Sequence, residues 1–153
     1  MRAAVVGYVV AGYVVSGFSP TAAGPSFSRT VRAAQPSART TNDAVFSAEQ
    51  AERGQALYQQ QCAACHGQAL AGAEAAPALA GAAFVGTWND APLGDLFERI
   101  RISMPQDKPG SLGRQQTADI VAYILSYNKA PAGRTELPRD TEPLNAIKIV
   151  PAK

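Results

Sequence analysis

Two cysteines and a histidine, in the order Cys62-Ala63-Ala64-Cys65-His66, are the residues of this chain best suited to chemistry. They form the C-x-x-C-H pattern at which a c-type haem is attached. The two thiols add across the vinyl groups of the haem and become thioethers, and the adjoining imidazole ligates the iron. The pattern uses both cysteines and the only histidine of the chain. We therefore expect one covalently bound haem c.

A cysteine pair with this spacing also occurs in disulfides, in thioredoxin-like redox sites and in zinc sites. A thioredoxin-like site needs a βαβ pattern around the pair, and the sequence has none. A zinc site needs two more ligands, and the chain has no further cysteine or histidine. The adjacent histidine disfavours a plain disulfide. Haem attachment is thus the interpretation that the residues favour.

Met104 is the predicted second ligand of the iron. The chain has two methionines, and Met1 would leave with any cleaved leader. Met104 then supplies the only thioether sulfur, and it stands in a loop directly before Pro105. Ligation by histidine and methionine is typical of electron-transfer haems, because thioether sulfur favours the ferrous state. The alternative is that Met104 fills a gap in the core, as most buried methionines do.

Three further residues, Pro77, Leu79 and Trp88, are predicted to contact the haem or its histidine. They lie in residues 67–92, which are rich in Ala, Gly and Pro and show little periodicity, so we expect an irregular segment wrapped around a rigid cofactor. A backbone carbonyl near Pro77 would accept the free ring N–H of His66. Leu79 would pack on the ring. Trp88 is either a donor to a haem propionate or an ordinary core residue.

Three helices are predicted to position these residues. The first follows a capping box at Ser47 and Gln50 and runs through Gln61 into Cys62. The second covers about residues 93–102 and the last about residues 114–128. Apolar residues recur at helical spacing in the second and last helices at Leu96, Phe97, Ile100, Ile120, Tyr123, Ile124 and Tyr127.

Gly54 lies inside the first helix, where glycine costs about 1 kcal/mol relative to alanine. A close crossing of the first and last helices would explain it, with Gly54 and Tyr58 facing the aromatic side of the last helix. The alternative is a tolerated surface glycine. Between the second and last helices, two prolines and a glycine are expected to hold the loop that contains Met104 on a defined path.

The N-terminus has the pattern of an export signal. An uncharged apolar run over residues 3–18 follows Arg2, and small residues predict cleavage after Ala23, with a second such site at residues 31–33. The run is short for a transmembrane helix, which needs about 20 apolar residues. An uncleaved anchor is the alternative. Residues 24–44 lack periodicity and are predicted to form a disordered linker.

The haem-binding domain is predicted to span residues 45–130 and to be followed by a tail, residues 131–153. Pro138, Pro143 and Pro151 predict that the tail is irregular. It nevertheless carries apolar residues, so we expect a strap packed on the domain, with a disordered tail as the alternative. These apolar residues are Leu137, Leu144, Ile147 and Ile149.

Taken together, these motifs resemble a class I c-type cytochrome over residues 47–149. The features that carry the resemblance are the Gly54/Tyr58 helix, the haem motif followed by glycine, Pro77-Ala78-Leu79, Met104-Pro105, and the helix at residues 118–128. The resemblance implies an all-α fold in which three or more helices surround one haem. It also implies that one edge of the haem is exposed.

A closer resemblance is to periplasmic cytochromes that serve quinoprotein (PQQ) dehydrogenases. It rests on residues 84–88, 104–112, 122–125 and 131–138. The resemblance, which extends to cytochrome domains fused to such enzymes, implies a periplasmic carrier with a dehydrogenase as electron donor and a terminal oxidase or another cytochrome as acceptor.

The function expected from these observations is one-electron transfer rather than catalysis. The formal net charge is +2 and no Lys/Arg stripe interleaves with aromatic residues, which argues against nucleic-acid binding. Contacts with redox partners should be transient and only modestly sensitive to salt. One alternative is a haem subunit of a dehydrogenase complex, anchored in the membrane by the N-terminal run. Another is a peroxidase or ligand sensor if Met104 is not a ligand, although no second histidine is present for acid–base work.

Overall fold

Helices account for most of the regular structure in residues 39–74 and 76–153, which are the residues that the computed structural model describes. The predicted all-α fold is confirmed, since the only strands in this part of the chain are two residues long. In chain order the elements are β1 (Arg39–Thr40), α1 (Ala48–Gln61), α2 (Ala63–His66), α3 (Gly81–Trp88), α4 (Leu93–Ser103), α5 (Arg114–Tyr127), α6 (Thr141–Asn145) and β2 (Ile147–Lys148).

Helices α1 and α5 cross at Gly54, as the sequence predicted. A Cβ atom at this position would lie only 1.8 Å from the backbone oxygen of Asp119, so no side chain fits between the two helices. One turn further along α1, the ring centroids of Tyr58 and Tyr123 are 5.3 Å apart. The interpretation of Gly54 as a surface glycine is therefore wrong. Tyr127 lies at the end of the same aromatic row and is 37% exposed.

The start of α1 differs in one respect from the predicted capping box. The hydroxyl of Ser47 accepts the backbone N–H of Gln50 at 3.1 Å, which is the expected cap. The side chain of Gln50 does not return to Ser47 but bonds the backbone of Leu137, donating to its oxygen at 3.2 Å and accepting from its N–H at 2.7 Å. A fully buried amide needs both partners, and the tail supplies them.

Helices α4 and α5 begin at the predicted residues and end within one residue of the predicted ends. The apolar side of α4, formed by Leu96, Phe97 and Ile100, is buried as predicted. The last residue before the following loop is Met104, which caps the C-terminus of α4. The position of this methionine is therefore fixed by the end of a helix.

Helix α3 lies within residues 67–92, for which the sequence predicts an irregular segment, and that prediction is wrong for residues 81–88. Of its eight residues only Phe84 is buried. The exposed positions are occupied by alanine, glycine and threonine rather than by charged residues. Such a helix has no polar face, and so it lacks the apolar–polar alternation by which a helix is recognised in a sequence.

Residues 39–44, the part of the predicted disordered linker that the structure describes, are ordered, which is a second correction. Strand β1 pairs in parallel with β2, with Arg39 opposite Ile147. The buried Thr41 donates its N–H to the oxygen of Lys148 at 2.9 Å and its hydroxyl to Val150 at 3.2 Å. The partner strand lies at the other end of the chain, so no local pattern signals this pairing.

Residues 1–38 lie outside the described residues. They contain the predicted leader (1–23), the second possible cleavage site (31–33) and the remainder of the predicted linker (24–38). Among the helices that are described, none has the length and apolarity needed to cross a membrane.

The tail, residues 131–153, lies against the helices and contains both α6 and β2, so the expectation of irregular structure is wrong for residues 141–148. Pro143 is the third residue of α6. The first residues of a helix have no intrahelical acceptor for their N–H groups, so proline is tolerated there. The apolar residues of the tail are at most 3% exposed and join the core; they are Leu137, Leu144, Ile147 and Ile149.

Candidate functional site

The haem motif begins at Cys62, where α1 ends, and continues as the single turn α2. The N–H of Cys62 still bonds the oxygen of Tyr58 at 2.9 Å. The oxygen of Cys62 accepts the N–H groups of Cys65 and His66 at 3.1 and 2.9 Å, which closes the turn. Cys62 is partly buried and Cys65 is exposed. One thiol thus borders the core while the other stands at the surface.

Burial, and to a smaller extent the charge of the nearby Cys65, raises the pKa of the Cys62 thiol to about 11. Reactive Cys-x-x-Cys sites of the thioredoxin type depend instead on a lowered thiol pKa, since the thiolate is the nucleophile. A protonated thiol at neutral pH disfavours the thioredoxin-like alternative.

His66 is buried, and its Nδ1 atom lies 2.8 Å from the backbone oxygen of Pro77. A carbonyl oxygen can only accept, so Nδ1 must carry the hydrogen in this contact. In the neutral ring, Nε2 then carries the lone pair. This tautomer can ligate a metal through Nε2. The contact between His66 and Pro77 is the one that the sequence predicted.

The loop that brings Pro77 to His66 folds back tightly at Gly72. The N–H of Gly72 bonds the oxygen of His66 at 2.9 Å, and its φ of +77° is a value that side chains rarely adopt. A Cβ atom there would lie 2.6 Å from the oxygen of Ala76 and 2.9 Å from the carbonyl carbon of Pro77. Only glycine therefore allows this approach.

Leu79 is held by backbone contacts on both sides. Its N–H bonds the oxygen of Leu70 at 2.8 Å, and its oxygen accepts from the side chain of Asn128 at 2.9 Å. Asn128 also accepts the N–H of Gly81 at 2.9 Å. This asparagine thus joins the loop to the end of α5, a role that the sequence reasoning missed because nothing in the sequence pairs residues so far apart.

Tyr58 is a second residue whose role was missed. Its hydroxyl donates to the oxygen of Gly67 at 2.7 Å and so ties α1 to the residue that follows the haem motif. Burial raises the pKa of Tyr58 above its ordinary value. The phenol therefore stays protonated and keeps its role as a donor. A helical tyrosine four residues before a Cys-x-x-Cys pair gives no sign of this bond in a sequence.

Met104 is partly buried at the end of α4, and its N–H bonds the oxygen of Ile100 at 3.0 Å. Its side chain packs against the main apolar core, as do Cys62, Leu79 and Trp88. Four predicted haem contacts therefore border one cluster of buried residues. The ligand role of Met104 and the propionate contact of Trp88 stay predictions.

The donor atoms fit a haem of the c type. Two thiols, an imidazole with its Nε2 lone pair free and a thioether sulfur make up the set that such a haem needs. In residues 39–74 and 76–153, no three side chains of the His, Cys, Asp and Glu types are grouped so as to hold a bare metal ion.

Charged residues are almost absent from the sequence around the haem motif. From residue 54 to residue 89 the sequence has one of them, Glu74. An open cavity of about 680 Å³ is lined in part by residues of this stretch and by none of the predicted ligands. It is lined by Ala69, Ala71, Ala80, Gly81, Val85, Tyr127, Asn128, Lys129, Ala152 and Lys153.

Comparison with known proteins gives two similarities. A family model described as cytochrome c oxidase, cbb3-type, subunit III, matches residues 49–124, a range that contains the haem motif and Met104. The crystal structure of the sulfane dehydrogenase SoxCD from Paracoccus pantotrophus is similar with a TM-score of 0.43 and 26% sequence identity. That match covers 52% of this chain and 44% of the SoxCD chain, which is less than half of its length. No curated protein matches the sequence.

Proposed function

Because this chain carries a monohaem c-type cytochrome domain of class I, we propose that it is a one-electron carrier whose iron is ligated by His66 and Met104. The observation that carries this proposal is the contact of 2.8 Å between Nδ1 of His66 and the oxygen of Pro77. This contact fixes the tautomer and the orientation of a buried imidazole, which is the usual arrangement of a metal-ligating histidine.

Each predicted site residue would have its own role in binding the haem. Haem c, when bound, supplies a one-electron Fe(III)/Fe(II) couple. Cys62 and Cys65 would hold it through thioethers, and His66 would keep its orientation through Pro77. Met104, fixed at the end of α4, would supply the second ligand. Leu79 and Trp88 would line the haem, with Leu79 excluding water from the side of the histidine.

We further propose that the carrier works in the periplasm, between a dehydrogenase as donor and a terminal oxidase or another cytochrome as acceptor. The predicted leader at residues 1–23 and the haem motif favour export, because both belong to proteins matured outside the cytoplasm. The matched family is described as a subunit of a cytochrome c oxidase. That description favours a second candidate, a haem subunit that stays in a membrane-bound redox complex.

The Met104→Ala variant tests the ligand assignment. We expect the oxidised wild-type protein to show the far-red charge-transfer band of a methionine–iron bond. The variant should lose this band, and its reduction potential should fall because the thioether that favours the ferrous state is absent. Absorption spectra and a redox titration of protein matured with its haem measure both effects.

The matched control is Ile102→Ala, which removes an exposed side chain of α4 two residues before Met104. It should leave the band and the potential unchanged. A wild-type protein without the band, or a band that survives in Met104→Ala, would contradict ligation by Met104. A high-spin spectrum that responds to added ligands would favour the peroxidase or sensor function.

The scarcity of charged residues in the sequence around Cys65 predicts weak salt dependence of electron transfer. Ala64, Cys65 and Gln68 are exposed there, and Glu74 is the nearest charged residue in the sequence. We expect the rate of reduction by ferrocyanide to change less than about threefold between about 10 and 300 mM salt, whereas charge-steered reactions change much more. Stopped-flow absorbance measures this rate.

The same rate should be measured for the variant Ala64→Lys, which places one positive charge beside the exposed Cys65. Its reaction with the anionic reagent should be faster at low salt and should slow as salt is added. If the wild-type rate already falls steeply with salt, electrons enter through a charged surface elsewhere on the protein.

A further inference from the structure

Helix α6 of the tail packs directly on α4, the helix that ends at Met104. Leu144, in the middle of α6, is fully buried. A Cβ atom at Gly94 would lie 2.0 Å from the side-chain oxygen of Asn145 and 3.1 Å from the backbone oxygen of Thr141. The absence of a side chain at Gly94 therefore allows α6 to lie against the backbone of α4.

A polar chain extends this contact toward the end of α4. The hydroxyl of Thr141 donates to one carboxylate oxygen of Glu98. The other oxygen of Glu98 accepts from Nε and Nη2 of Arg101 at 2.9 and 2.6 Å. Arg101 belongs to the last turn of α4, three residues before Met104. The tail thus bonds Glu98, which in turn bonds Arg101 in the half of α4 that leads to the sulfur.

The tail also holds the start of α4. The N–H of Ile149 bonds the oxygen of Ala91 at 3.0 Å, and the N–H of Asp90 bonds the oxygen of Ile149 at 2.8 Å. On the other side of Met104, Pro105 is buried but residues 106–111 are all exposed, so the chain gives less support there. The place of Met104 therefore depends mainly on how α4 is held.

We propose that Thr141, Leu144 and Asn145 are positioning residues that keep Met104 on the iron by holding α4 in place. The inference rests on the proposed function, because it takes Met104 as the ligand. The same tail has a second attachment, on α1, through the contacts of Gln50 with Leu137. That attachment involves no residue of α4 and provides an internal control.

The test compares two substitutions of the same kind in the same tail, Leu144→Ala and Leu137→Ala. Both leucines are at most 3% exposed, so both variants should have a lower melting temperature. Only Leu144→Ala should weaken the methionine–iron bond. Imidazole competes with the sulfur for the iron, so it should bind to the Leu144→Ala variant about tenfold more tightly than to the wild-type protein. A factor of about ten is the lower end of the change in affinity caused by removing residues that orient a metal ligand.

Imidazole titration of the oxidised holoprotein, followed by loss of the far-red band, measures this affinity. Leu137→Ala should stay within about twofold of the wild type, because the bonds of residue 137 are with Gln50 of α1 and not with α4. Thr141→Val removes one hydroxyl with little change of shape, and it should shift the affinity in the same direction as Leu144→Ala. This variant decides the matter if Leu144→Ala fails to fold.

Equal imidazole affinities in Leu144→Ala and Leu137→Ala would overturn the proposal, since the tail would then act only through overall stability. An unchanged affinity in Thr141→Val when Leu144→Ala does not fold would do the same. A wild-type protein that lacks the far-red band would instead overturn the ligand assignment itself, and the positioning role with it.

Discussion

Substitution of Gly54 by alanine is expected to lower the melting temperature of the protein by about 10–25 °C. The added Cβ atom would lie 1.8 Å from the backbone oxygen of Asp119 and 2.4 Å from its carbonyl carbon. Neither atom can move unless α5 moves as a whole, so the two helices must separate. We expect this to lower the free energy of unfolding by about 3–5 kcal/mol, at the upper end for overpacking of a core.

The gain in helix propensity does not compensate. Alanine is favoured over glycine in a helix by about 1 kcal/mol, which is less than the cost of separating α1 from α5. The separation would also weaken the contact between the rings of Tyr58 and Tyr123, which lie 5.3 Å apart. Thermal unfolding followed by circular dichroism measures the effect.

Gly86→Ala is the matched control, because Gly86 also lies inside a helix, α3. A Cβ atom at this position would meet nothing within 4 Å. Only the propensity gain remains, so the free energy of unfolding should rise by about 0.5–1 kcal/mol. The same chemical change should therefore have opposite signs at the two positions. A variant Gly54→Ala that is as stable as Gly86→Ala would mean that α1 and α5 are further apart than the structure places them.

This crossing also illustrates what the sequence can predict of the fold. A glycine inside an otherwise regular helix has a cost, and close packing is a physical reason to accept it. The limits of α1, α4 and α5 follow in the same way from local signals, namely Ser47 as N-cap and the spacing of apolar residues such as Leu96 and Ile100. Such features depend on residues that are neighbours along the chain.

Contacts between distant parts of the chain could not be predicted in this way. Gln50 satisfies the rule for a capping box, yet its side chain bonds Leu137, because a buried amide is better satisfied by two backbone partners than by one. Thr41 was assigned to a linker by its composition, although it is buried against residues 148–150. Local rules describe which bonds a residue can make, and the fold decides which of them it makes.

The contacts of the candidate site likewise fall into those that local sequence signals predict and those that depend on the whole fold. The contact between His66 and a carbonyl near Pro77 was predictable, because a ligating imidazole needs an acceptor for its other N–H and the proline lies nearby in the sequence. The bonds of Tyr58 to Gly67 and of Asn128 to Leu79 were not. They support the site from α1 and α5, whose places relative to the loop depend on the whole fold.

Within the candidate site, the stability of the protein should be most sensitive to a methyl group added at Gly72, in the loop that contains Pro77. We expect Gly72→Ala to lower the free energy of unfolding by about 3 kcal/mol, because the strain of a positive φ is added to the overlap with backbone atoms. These atoms are the oxygen of Ala76 at 2.6 Å, the nitrogen of Ala78 at 2.7 Å and the carbonyl carbon of Pro77 at 2.9 Å. Chemical denaturation of the holoprotein measures the loss.

Gly81→Ala separates these two causes of the loss. Gly81 has a φ of +72°, close to the +77° of Gly72, but a Cβ atom there would meet nothing within 4 Å. Its substitution should therefore cost only the backbone strain, about 1 kcal/mol. An equal loss of stability in the two variants would show that the fit of the loop around Gly72 is not tight.

A redox titration of the same two variants connects this loop to electron transfer. Displacement of the Pro77 carbonyl would deprive Nδ1 of His66 of its acceptor, and a histidine without this bond is a less basic ligand. A less basic ligand stabilises ferric iron less, so the reduction potential should rise in Gly72→Ala and stay unchanged in Gly81→Ala. An unchanged potential in Gly72→Ala, despite the loss of stability, would mean that His66 does not act on the iron through Pro77.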